Sequence, residues 1–137
     1  GAFYPNYDEA MGRELLQIFS LSPEMNLKKI SQGQKKKALI AFALALRVPL
    51  LLMDEPTNGL DFGNQIRLLE MIKGLGDEGY TFVQTTHYPR HAKFVSNLTL
   101  FIKDGEILAF GRSEQLINTE NIDKIYGINY EKYEDRL

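Results

Sequence analysis

The sequence predicts an α/β fold built on a parallel sheet, closed by a terminal β-hairpin and short helices. Two observations carry this. Leu50-Leu51-Leu52-Met53 is an apolar run without alternation, the pattern of a fully buried parallel strand, and Asp54 and Glu55 follow where that strand should emerge. Downstream, a helical pattern from Phe62 to about Lys73 leads into the β-rich run Thr81 to Thr86, which stops at His87. Strand, helix and strand in that order imply a right-handed crossover between parallel neighbours, which places His87 on the same sheet edge as Asp54 and Glu55.

The remaining elements follow along the chain. Asp8 can cap a helix running to about Ser20, with Leu15, Leu16, Ile18 and Phe19 as its apolar side, and Ser22-Pro23 ends it. Ser31 and Gly33 then stand at the amino end of a strongly helical stretch, Ala38 to Leu46. Asp61 caps the crossover helix, and Gly74 or Gly76 is expected to stop it. Pro89 starts a short helix through Val95. Leu98 to Lys103 and Glu106 to Phe110 flank Asp104-Gly105 as a hairpin. Ser113 and Thr119 are expected to cap two short helices, with Gly127 after the second and a loose, charged tail from Tyr130 to Leu137.

The chain has 137 residues, enough for one compact domain with a real core. Its three stretches are residues 1–47, helical; 48–112, the sheet core; and 113–137, the terminal helices. No repeat, low-complexity segment or linker divides them. A net charge of -2 excludes binding to nucleic acid by bulk charge, so Lys35-Lys36-Lys37 reads as a solvated helix face. The absence of cysteine excludes disulfides and thiolate metal sites. With no apolar run of about 18 residues and no signal-peptide pattern, a cytoplasmic protein is expected. The opening Gly1-Ala2, in place of methionine, reads as a cleaved product or an internal fragment.

Chemistry concentrates at the strand ends. Two adjacent acids at the carboxyl edge of a parallel strand suit a nucleotide site: one hard oxygen ligand for Mg²⁺, which Asp54 would supply, and one base for a hydrolytic water, which is Glu55. The plainer alternative is a strand that ends at the surface. Ser31 and Gly33 at a helix start would let backbone amides approach an anion, the alternative being an ordinary helix cap. His91 reads as a partly exposed helix residue.

Taken together, Ile30-Ser31-Gln32-Gly33-Gln34, Asp54-Glu55-Pro56, Asn58-Gly59-Leu60-Asp61 and His87 resemble the signature motif, Walker B strand, D-loop and H-loop of the ATP-binding-cassette ATPases, in order and at about the family's spacing. The resemblance covers nearly the whole chain. Asp61-Phe62-Gly63-Asn64-Gln65, Thr85-Thr86-His87-Tyr88-Pro89 and Tyr126-Gly127 look most like subunits of iron-siderophore and cobalamin importers. Phe3-Tyr4-Pro5-Asn6-Tyr7-Asp8 and Gln34-Lys35-Lys36-Lys37 look more like exporter-type cassettes. Two signature positions depart from the usual Leu-Ser-Gly-Gly-Gln, with Ile30 for leucine and Gln32 for the first glycine.

By that resemblance the fold is that of P-loop NTPases (RecA-like) and the cofactors are ATP and Mg²⁺. Asp54 would hold the metal through water, Glu55 would activate the attacking water, and His87 would contact the γ-phosphate. Ser31, Gly33 and Gln34 would contact ATP held by a second ATPase subunit, and Asp61 would help join the two sites. Transmembrane permease subunits would complete the transporter, with the chain peripheral to the cytoplasmic membrane. No Gly-x-x-x-x-Gly-Lys-Ser/Thr loop occurs in the sequence, so the chain is expected to be a carboxy-terminal half-cassette, inactive without an amino-terminal half. The family's Walker A strand would lie between the strand before His87 and Leu98 to Lys103. Without it, a stable form is expected to rearrange or associate. The alternatives are a truncated or engineered fragment that serves only as a folding or dimerisation module, and part of a soluble, non-transport cassette ATPase.

Overall fold

A computed structural model of the protein describes residues 4–26 and 28–133. It confirms the α/β class, with a parallel strand pair and an antiparallel hairpin. The chain divides into two compact units, Gly1–Thr86 and His87–Leu137, where the sequence predicts a single one. Residues 1–3, among them Phe3 of the exporter-like opening, and 134–137 of the tail lie outside the described residues, as does Leu27.

The first unit contains α1 (Glu9–Ile18), α2 (Gln32–Ala45), β1 (Leu50–Asp54), α3 (Phe62–Asp77) and β2 (Thr81–Thr85). Asp8 caps α1 as expected, accepting from the Met11 amide at 3.0 Å. Leu15, Ile18, Leu44, Leu68, Leu69 and Ile72 are buried, each contributing about 2 kcal/mol relative to exposure. Gly12 makes room for its neighbour, since a Cβ there would run into the hydroxyl of Tyr7, whose ring packs on Phe42.

Three corrections apply to this unit. First, α3 continues through Gly74 and Gly76 to Asp77. Leu75 is buried in line with Leu68 and Ile72, and this burial outweighs the cost of about 1 kcal/mol that each glycine imposes. The stop is Gly79 at φ +104°, with Gly79 N donating to Gly76 O and Tyr80 N to Leu75 O, the paired bonds of a Schellman end. Second, β1 is not fully buried. Met53 is 6% exposed, but Leu50 is 55% and Leu52 is 68% exposed, and on β2 Val83 is 56% exposed. Burial alternates along both strands because this two-stranded sheet has only one covered face. Third, Lys37 is not merely solvated, since its ammonium donates to the Gly59 carbonyl at 3.3 Å.

Arg47 ties the helices together. It sits at φ +53° just past α2, pairs with Asp8 at 3.2 Å and with Glu78, and lies 5.4 Å from the centre of the Tyr80 ring. Asp8, in turn, donates its amide to Ala45 O at 2.8 Å. The ends of α1, α2 and α3 therefore meet at one guanidinium.

The second unit contains α4 (Pro89–Val95), β3 (Leu98–Lys103), β4 (Glu106–Arg112), α5 (Ser113–Leu116) and α6 (Thr119–Tyr126). The hairpin turns at Asp104 and Gly105, both at positive φ (51° and 78°), as an Asp-Gly type I′ turn requires. Its core is Ala92, Phe101, Ile117 and Ile122, with Ala109, Leu116, Ile125 and Tyr130 against it. Leu98, Leu100, Ile102, Ile107 and Phe110 remain exposed on the strands.

Here the expected caps shift by one residue. Asn118, not Thr119, caps α6, accepting from the Asn121 amide at 2.9 Å. Arg112 precedes α5, and Ser113 is buried with its hydroxyl 2.7 Å from that of Thr99. The tail is ordered at its start, where a 3₁₀ turn at Tyr130–Lys132 seats Tyr130 on the core and its amide on the Asp123 carboxylate. The amphipathic Ile122, Ile125 and Tyr130 supply the burial that a count of charges misses.

Candidate functional site

β1 and β2 run parallel in register from Leu50↔Thr81 to Asp54↔Thr85, so the two strands end side by side. This pairs Asp54 with Thr85 across the edge. The Glu55 amide donates to Thr85 Oγ1 at 3.0 Å, and the Thr85 hydroxyl forms a short hydrogen bond with Asp54 Oδ1. A backbone N–H can only donate, so Oγ1 must accept from Glu55 and direct its own proton to the carboxylate.

Glu55 has φ +45°, left-handed backbone that costs on the order of 1–3 kcal/mol in a residue with a side chain. The bend takes the chain out of the strand into a compact loop. Thr57 is buried, Asn58 N donates to Glu55 O at 3.1 Å, and Leu60 N donates to Thr57 O at 3.2 Å. Gly59 stands at φ +76°, where a Cβ would be strained, and presents its carbonyl to Lys37.

Asp61 closes the loop by capping α3. Its Oδ1 accepts the Asn64 amide at 2.9 Å and its Oδ2 the Asn64 side-chain amide at 2.8 Å. At the start of α2, Ser31 Oγ accepts from Gln34 N at 3.2 Å while Gln34 Oε1 accepts from Ser31 N at 3.0 Å, a complete capping box. Gly33 is exposed, and a Cβ on it would meet only Ser31 Oγ, at 3.9 Å. No neighbour among the described residues therefore demands glycine there; the open side suits close approach from outside.

His87 follows Thr85 by two residues and opens the second unit, exposed, with its carbonyl accepting from Tyr126 Oη at 2.7 Å. Burial raises the Tyr126 pKa and lowers that of His91, whose ring centre lies 4.8 Å from that of Tyr88 and whose Nδ1 is buried without a hydrogen-bond partner among the described residues.

The structure thus brings Asp54, Glu55 and Thr85 together, while Asp61 and the trio Ser31, Gly33 and Gln34 stand at two separate helix starts. Thr85 is the residue that sequence reasoning missed. Its only signal is the parallel register, because five-residue strands ending together put it opposite Asp54. As for a metal, no group of three or more His, Cys, Asp or Glu side chains gathers among the described residues. Asp54 nonetheless fits Mg²⁺, which is commonly held by one or two carboxylates with waters and substrate phosphates completing the shell.

Comparison with known proteins gives a consistent answer. The profile of a family described as "AAA domain, putative AbiEii toxin, Type IV TA system" matches residues 16–90. An "Uncharacterized ABC transporter ATP-binding protein" of Haemophilus influenzae is 41% identical over 98 residues, 72% of this chain and 37% of the relative. The ferric enterobactin transport ATP-binding protein FepC of Escherichia coli is 34% identical over 106 residues, 77% of this chain and 39% of the relative. The chain thus spans well under half the length of these curated relatives. Among solved structures, an inward-facing "putative metal-chelate type ABC transporter" superposes with a TM-score of 0.65 at 28% identity, over 87% of this chain and 49% of that one. The ATP-binding cassette MJ0796, a dimer in a post-hydrolysis state bound to ADP and Pi, gives 0.60 at 28% identity, over 74% of this chain and 45% of that one.

Proposed function

As this chain matches the AAA-domain family model and belongs with the ATP-binding-cassette proteins of ABC transporters, we propose that it carries the hydrolytic edge of a transporter ATPase, in the metal-chelate importer branch. The observation that carries this reading is the hydrogen-bonded edge of Asp54, Thr85 and Glu55. Mg²⁺, when bound with ATP, neutralises developing charge on the phosphates. Asp54 would hold that ion through water. Glu55 would orient the attacking water and take its proton, and His87 would contact the γ-phosphate. In-line phosphoryl transfer rewards such positioning and charge stabilisation above covalent chemistry.

In the same reading Ser31, Gly33 and Gln34 address ATP held by a second ATPase subunit, and Asp61 joins the sites across that dimer. Residues 1–47, 48–112 and 113–137 divide this labour along the chain. The phosphate cradle is supplied by polypeptide outside these 137 residues, permease subunits transmit the motion, and the site lies on the cytoplasmic side of the membrane. No described helix is long and apolar enough to cross a membrane itself.

The test is Mg²⁺-dependent ATP hydrolysis by the chain alone and by the chain assembled with the P-loop-bearing half of a cassette. The expected result is no hydrolysis alone and hydrolysis in the assembly that Glu55→Gln removes. Equal rates for the two proteins in the assembly would sink the reading. A second reading, a non-catalytic folding or dimerisation module, is favoured by the exposed Leu50, Leu52 and Val83. It predicts association without recovery of permease subunits in a pull-down.

A further inference from the structure

We infer that Thr85 is a positioning residue of the hydrolytic edge, fixing the Asp54 carboxylate and the Glu55 backbone through one hydroxyl; this rests on the function proposed above. Three features converge on that hydroxyl. The register puts Thr85 directly across from Asp54. Its Oγ1 accepts from the Glu55 amide at 3.0 Å and is hydrogen-bonded to Asp54 Oδ1. Glu55, the residue so held, sits at φ +45°.

The consequence for chemistry is specific. With Oδ1 engaged by Thr85, the Asp54 carboxylate has one preferred orientation, and Oδ2 is the oxygen that would remain to accept from a metal-bound water. With its amide tied across to β2, Glu55 is kept in the left-handed conformation that an extended strand would not adopt. Its side chain therefore leaves the backbone in one direction. A single hydroxyl does both because it is donor and acceptor at once. Serine could replace it and alanine or valine could not. Valine keeps the shape and the β-branched preference for a strand, so it removes the hydrogen bonds while leaving the sheet in place.

Two measurements test this with Thr85→Val and Thr85→Ser. Hydrogen exchange of the Glu55 amide is followed by NMR on the 137-residue chain, with no nucleotide present. ATP hydrolysis is followed in the assembly described above. In Thr85→Val the Glu55 amide should exchange at least about tenfold faster while the amides of α3 keep their protection. In the assembly, kcat should fall about tenfold to a hundredfold with KM within about twofold of the parent. Thr85→Ser should restore both.

Parent-like exchange and kcat in Thr85→Val would overturn the inference, as would losses that serine does not restore. If hydrolysis proves indifferent to Glu55→Gln, it is the functional reading that fails. The Glu55 exchange rates of the valine and serine variants still decide, by themselves, whether Thr85 holds this backbone.

Discussion

The sheet edge at Asp54 and the amino end of α2 at Ser31 are built from similar side chains and held in opposite ways. At the Ser31 cap both bonds are local, since Ser31 and Gln34 satisfy each other's amides three residues apart. At the edge the bonds run between residues 30 and 31 positions apart, joining β1 to β2 through Thr85. The capping box would form on an isolated helix, and its polar groups stabilise that helix first. The edge exists only once two strands have paired, and it holds a residue in strained backbone. Polar groups whose bonds serve secondary structure are expected to show up as stability; those that sustain strain are expected to show up as activity.

The largest expected effect would break this contrast if it failed. Glu55→Gln should reduce hydrolysis in the assembled ATPase by at least about a hundredfold, while urea unfolding of the chain shifts by no more than about 0.5 kcal/mol. The converse comes next. Ser31→Ala and Asp61→Ala should each lower unfolding free energy by about 1 kcal/mol, read from the urea midpoint at unchanged m. Gly12→Ala sharpens the stability side without removing any polar group, because the new methyl drives into the Tyr7 side chain. A loss of about 1 kcal/mol, largely restored by Tyr7→Phe, is expected.

The smallest effect concerns acid. Burial holds the His91 pKa below its ordinary value of about 6.5, so the folded state binds fewer protons than the unfolded one there. Its contribution to stability is present above that ordinary value and is lost as pH falls through the folded pKa. Melting temperatures of the parent should therefore drop between about pH 7 and pH 5 slightly more than those of His91→Asn.

What was legible in the sequence divides along the same line. Asp8, Ser31 and Asp61 announce their helices because a cap and the amides it serves are neighbours in the chain. Asp104-Gly105 announces a turn for the same reason. Thr85 could not be found this way: its meaning depends on a partner 31 residues earlier and on a parallel register that local pattern does not contain. The end of α3 was misplaced because Gly74 and Gly76 are strong local stop signals, overruled by the burial of Leu75. The exposure of Leu50 and Leu52 was missed because an unbroken apolar run describes what a strand could bury, not what covers it.

That uncovered face has a consequence for handling the protein. Attraction between apolar surfaces near room temperature is driven by released water and weakens on cooling. A chain presenting Leu50, Leu52 and Val83 beside one another should therefore become turbid on warming and clear again in the cold, sulfate acting like heat and urea like ice.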